Sequence, residues 1–206
     1  MLRKDLYPLL KLGYENQKEA KKDAKKYGYS YDGQLSNNET KVFVKDGKPT
    51  IVHRGSKRVK DWLVDDALIL FGLEDKAAPV FSHLSKKYHI GHQLRSTKAK
   101  EITKKVEQKY HTSANTVGHS LGGRLSENSG AHGNIITYNK AVGLGDVGTK
   151  KNSKRQLDVR NSGDIVSVLG HTQRANKEQI NSGMSFFNPV KAHDLTHLIN
   201  PHAKHS

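Results

Sequence analysis

The run Val117-Gly118-His119-Ser120-Leu121-Gly122-Gly123 contains G-x-S-x-G, the pattern of a serine set on a sharp turn between a strand and a helix. Flanking glycines are needed because a Cβ there would collide with the neighbouring strand and helix. Such a turn thrusts the hydroxyl out at the edge of a sheet, where it can attack a carbonyl carbon. The pattern alone decides little: with 18 Gly and 16 Ser among 206 residues, about one random chain in eight would contain it. Partners must support it, and a serine elbow of this kind has its acid and then its histidine downstream. Asp164 follows a strand candidate, Leu157-Asp158-Val159, through the turn Asn161-Ser162-Gly163. That places a carboxylate at a strand's carboxyl end, where sites gather in open parallel sheets. His193 comes 29 residues later, at a loop-helix junction after Pro189. His197, one helical turn on, is the rival base. A His193/His197 metal pair lacks the glutamate of H-E-x-x-H and a third ligand, so neither metal nor cofactor is expected.

These side chains need a scaffold, and the periodicity supplies one. Val42-Phe43-Val44, the turn Asp46-Gly47-Lys48-Pro49 and Thr50-Ile51-Val52 read as a hairpin. From Val59 the apolar Leu63, Ala67 and Leu70 recur every three to four residues, predicting a short amphipathic helix over 57–72. A second helical stretch, interrupted by Pro79, covers 75–90. Leu94, Ile102, Val106 and Tyr110 then share one helical face among five lysines, which reads as the wet outer helix of a sheet protein. Strand candidates end at Val117, run Ile135 to Tyr138 and run Leu157 to Val159. Strands separated by helices predict an α/β fold with a mainly parallel sheet flanked by helices.

At 206 residues and 23.0 kDa a single domain over 1–206 is expected. Residues 1–38 read as a basic N-terminal helical extension and loop, with a solvated helix over 14–27 closed by Gly28. Lys and Arg exceed Asp and Glu by 35 − 20 = 15, so the surface carries a positive potential that favours acidic partners: nucleic acid, an anionic membrane face or an acidic protein. No helix-turn-helix, zinc-finger or RNP signature supports nucleic acid, and the lysines are spread rather than clustered. The absence of Cys excludes thiol chemistry and disulfides. The longest apolar run, Ala67 to Leu73, is far short of a bilayer span. No secretion signal is read either, so the expected setting is intracellular or inside a virus particle.

Four separated blocks resemble the class 3, or fungal-type, lipase family of α/β-hydrolases, over about 150 residues. They are Ile51-Val52-His53-Arg54-Gly55-Ser56, which departs by placing His53 where Phe is usual; Asp61-Trp62-Leu63-Val64-Asp65; the elbow with its doubled glycine; and Arg160-Asn161-Ser162-Gly163-Asp164-Ile165-Val166 with Ala192-His193-Asp194-Leu195. The helix after the elbow, Arg124-Leu125-Ser126-Glu127-Asn128, is more polar than that family's buried helix.

The resemblance implies a small α/β-hydrolase-like fold with a short lid helix, and a serine hydrolase acting on lipid or other esters. Ser120 would be the nucleophile, His193 the base and Asp164 the acid that orients it. The backbone N–H groups of Ser56 and Leu121 would form the oxyanion hole. Trp62, with Val59 and Leu63, would belong to a lid touching lipid, and Lys57, Arg58 and Lys60 beside it would face anionic headgroups. Two other readings stay open: an inactive scaffold of the same fold, and a basic nucleic-acid-binding or membrane-binding protein.

Overall fold

The computed structural model describes residues 5–55, 82–142, 148, 154–161, 164, 167, 172–173, 176–181, 193, 195 and 204–205. The expected lid helix 57–72 with Val59, Trp62 and Leu63 lies outside them, as do Ser56 and His197.

Strands β1 (Ser30–Tyr31), β2 (Thr40–Lys45) and β3 (Lys48–His53) pair antiparallel in sequence. The β2–β3 turn is Asp46-Gly47, both at positive φ (51° and 73°), the mirror-image turn whose twist matches the strands it joins. Short β1 falls within a stretch expected to be loop. From β3 the sheet continues in parallel through β4 (Asn115–His119), β5 (Ile135–Tyr138), β6 (Gln156–Asn161) and β7 (Asn176–Asn181). Antiparallel β8 (Lys204–His205) closes it. The fold is α/β, with a mixed, mostly parallel sheet flanked by helices.

Period-two alternation sorts the sheet's side chains onto two unlike faces. Phe43, Val52, Val117, Ile136, Tyr138 and Val159 form one apolar face. It is covered by helix α1 (Leu6–Tyr14) and helix α2 (Gln17–Ala24). The opposite face begins apolar, with Val42 and Ile51 packed on Val106 of helix α3 (Ser82–Tyr110). It turns polar beneath helix α4 (Leu121–Asn128), where Thr116, Thr137, Gln156 and Asp158 are buried. Helix α3 is basic and amphipathic as expected: Ala99, Thr103 and Val106 are buried while Lys98, Lys100, Lys104 and Lys105 are exposed.

The N-terminus departs most from expectation, for α1 is core rather than extension. Leu6, Leu9, Leu10 and Leu12 are each at most 1% exposed. A nine-residue helix is marginal alone, and four buried leucines at about 1.5–3 kcal/mol each hold it on the sheet. Pro8 is tolerated because the first-turn N–H groups have no helical partner. Buried Lys41 closes the other end, its Nζ donating to the Gly13 carbonyl at 2.6 Å where the helix dipole favours a cation. Asn16 caps α2 through Glu19 N–H at 2.9 Å. Gly28 then ends the Lys25–Tyr27 turn at φ 75°.

Candidate active site

Three parallel strands deliver the candidate residues to one edge of the sheet. β3 leads into Gly55, β4 into Ser120, and β6 into Asp164 three residues beyond its end. Ser120 stands at φ 57°, ψ −129°, a backbone region that costs on the order of 1–3 kcal/mol for a residue with a Cβ. The surroundings over-determine it. Its N–H donates to the Tyr138 carbonyl at 3.1 Å, and its carbonyl accepts from Gly123 N–H at 2.9 Å and Ala141 N–H at 3.2 Å. A Cβ on Gly118 would overlap the Gly122 carbonyl, and one on Gly122 the His53 carbonyl. The elbow glycines are thus steric necessities.

The structure joins two of the expected catalytic groups directly. His193 Nδ1 lies 2.9 Å from Asp164 Oδ1, with Asp164 2% and His193 8% exposed. The other carboxylate oxygen accepts from Ser167 N–H at 3.2 Å. With the carboxylate on Nδ1, the imidazole carries its proton there and leaves a lone pair on Nε2, itself buried. His193 is tied to the elbow as well: its ring lies 4.7 Å from that of His119, and its carbonyl accepts from His119 Nε2 at 2.8 Å. Ser120 is 2% exposed, and its Oγ makes no hydrogen bond among the described residues. Leu121 is the first residue of α4, so its N–H lies outside the helical ladder and is available to an oxyanion.

Two buried histidines flank these groups. His119 is buried, and desolvation together with nearby His193 pushes its pKa down to about 3. His53, also pushed to about 3 by burial, touches Thr40 Oγ1 through Nδ1 at 3.0 Å. It fills a core position.

The polar helix after the elbow has a non-local cause. Lys140, 3% exposed, donates to Glu127 Oε2 at 2.5 Å and Asp158 Oδ2 at 2.8 Å. Gln156 Nε2 bridges the same carboxylates at 2.7 and 3.0 Å, and Thr137 Oγ1 donates to Asp158 Oδ1 at 2.7 Å. Glu127 is therefore a buried member of a hydrogen-bonded network spanning α4, β5 and β6.

Sequence reasoning did not single out Tyr14. It lies at the end of α1, and its hydroxyl reaches His119 Nδ1 at 2.8 Å across 105 positions; no local pattern signals such a contact. Among the described residues no group of three His, Asp or Glu side chains could hold a metal ion, and no helix is long and apolar enough to cross a membrane. No protein-family model, curated protein or solved structure matches the chain.

Proposed function

We propose that the chain is a serine hydrolase that cleaves carboxylic esters, with lipid esters as its substrate class. The observation that carries this reading is the buried Asp164–His193 hydrogen bond, made by residues 29 positions apart and set against a serine elbow. A core histidine satisfied for structural reasons needs neither a buried carboxylate on Nδ1 nor a neighbouring serine at positive φ.

In the proposed mechanism Ser120 Oγ attacks the ester carbonyl while His193 Nε2 takes its proton. The C–O bond to the alcohol then breaks, and His193 returns the proton to the leaving oxygen. Water repeats the sequence on the acyl-enzyme, releasing the acid and restoring Ser120. Asp164 holds the Nδ1–H tautomer and stabilises the imidazolium formed in each step. Leu121 N–H, at the amino end of α4, donates to the oxyanion, and the resemblance adds Ser56 N–H as a second donor; losing one such donor typically costs about 3–4 kcal/mol of transition-state stabilisation. Lipid as the substrate rests on the resemblance and on a formal charge of +15, which attracts an anionic surface.

The test is covalent labelling with a fluorophosphonate probe alongside hydrolysis of an ester chain-length series and of phospholipid vesicles. Labelling abolished by Ser120→Ala, with turnover rising on longer acyl chains, is the expected result. An unlabelled wild-type protein that retains DNA in a salt-sensitive way would instead favour the nucleic-acid reading.

A further inference from the structure

We propose that Tyr14, on the N-terminal helix, is a positioning residue of this site: its hydroxyl bridges the Gly55 N–H and the His119 ring, and that ring in turn clamps the main chain of His193. The proposal rests on the hydrolase reading above. Its geometry is a chain of three contacts: Gly55 N to Tyr14 Oη at 3.1 Å, Tyr14 Oη to His119 Nδ1 at 2.8 Å, and His119 Nε2 to the His193 carbonyl at 2.8 Å.

The direction of each bond follows from which groups can donate and from the burial of the His119 ring. The His193 carbonyl can only accept, so His119 Nε2 carries the proton. The buried ring is neutral, so Nδ1 holds a lone pair and the Tyr14 hydroxyl must donate to it. The Tyr14 oxygen then accepts from Gly55 N–H. Reversing any one bond would set two donors or two acceptors face to face.

These contacts pass through a crowded joint of the fold. A Cβ on Gly55 would stand 2.7 Å from Tyr14 Oη, 2.9 Å from the His119 carbonyl oxygen and 3.0 Å from Ser120 Cβ. The His119 ring is further confined by stacking on Tyr138, with centroids 5.6 Å apart at 26°. His193 is accordingly held twice: Asp164 fixes its imidazole, and His119 fixes the backbone that carries the imidazole. Tyr14 gives His119 the tautomer that this second hold requires. Misplacing a catalytic group by about 1 Å lowers turnover by on the order of a hundredfold, so loss of the hydroxyl should be read in rate rather than in substrate binding.

The experiment compares Tyr14→Phe with Leu10→Val, which loosens the same helix without touching the hydroxyl. Ester turnover, the rate of Ser120 labelling, thermal melting and the ¹⁵N shifts of the histidine side chains are measured. The expected result for Tyr14→Phe is a loss in kcat and labelling rate of about 10-fold to 100-fold, KM within about threefold of wild type, and loss of the fixed His119 tautomer. Leu10→Val should melt earlier yet keep its rate within about threefold. Three results would each overturn the proposal: Tyr14→Phe working at half the wild-type rate or better, Leu10→Val losing as much rate as Tyr14→Phe, or wild-type His119 protonated on Nδ1. The last decides the matter even if Tyr14→Phe does not fold. A wild-type protein that takes no label refutes the hydrolase reading itself, a result distinct from all three.

Discussion

The two neutral, buried histidines make stability steeply dependent on pH. His53 and His119 are both pushed down to about 3, whereas an unfolded chain protonates histidine near pH 6.5. Both native values are depressed, so the stability they confer is whole above about pH 6.5 and is lost as pH falls towards 3. Between pH 6.5 and 4.5 each ring removes roughly 2 kcal/mol, and the two together remove roughly 4–5 kcal/mol, a large part of a typical folding free energy. Glu15, raised by burial, offsets part of this near the acid end, while Asp32 and Glu107, held low by their hydrogen bonds and by Lys109 and His132, act below the window. His53→Phe isolates one ring, since the lost Thr40 contact is independent of pH. Urea unfolding followed by circular dichroism at half-unit steps, at fixed ionic strength, should give a slope of about two protons for wild type and about one for His53→Phe. Equal slopes for the two proteins would refute the assignment of His53 as a buried neutral group.

Two further outcomes follow from the site and from the network beneath it. Asp164→Asn should keep the fold but present the wrong His193 tautomer, lowering kcat for ester hydrolysis by about 10⁴-fold; a loss of tenfold or less would remove Asp164 from the orienting role. Lys140→Met strands Glu127 and Asp158 as an uncompensated buried pair, so urea unfolding should show a loss of about 3–5 kcal/mol. That loss should shrink when Glu127→Gln and Asp158→Asn are added.

What the sequence reveals here is what short-range spacing encodes. The Asp46-Gly47 hairpin, the β4–α4 elbow and the basic helix through Tyr110 are legible because turn chemistry and periodicity are local. The Asp164–His193 contact is legible because a serine elbow constrains the order of its partners. The burial of α1 is harder to read: Leu6, Leu9, Leu10 and Gly13 do fall at helical spacing, but Pro8 and Lys11 obscure it. Glu127 reads as a surface residue until Lys140 and Gln156 are brought to it by strand pairing. Tyr14 is wholly illegible, since nothing near it marks a hydroxyl destined for a histidine 105 positions away.

Among the described residues, strands that follow each other in the chain also neighbour each other in the sheet, from β1 through β8. Growth can then proceed as a zipper, each new strand adding to the edge left by the last and none of the described strands having to insert between partners already joined. Helix α1 is the exception to this economy: synthesised early, it waits for β4 to emerge before Tyr14 meets His119. Assembly of the elbow is thereby tied to capture of an early segment by a late one, across 105 positions.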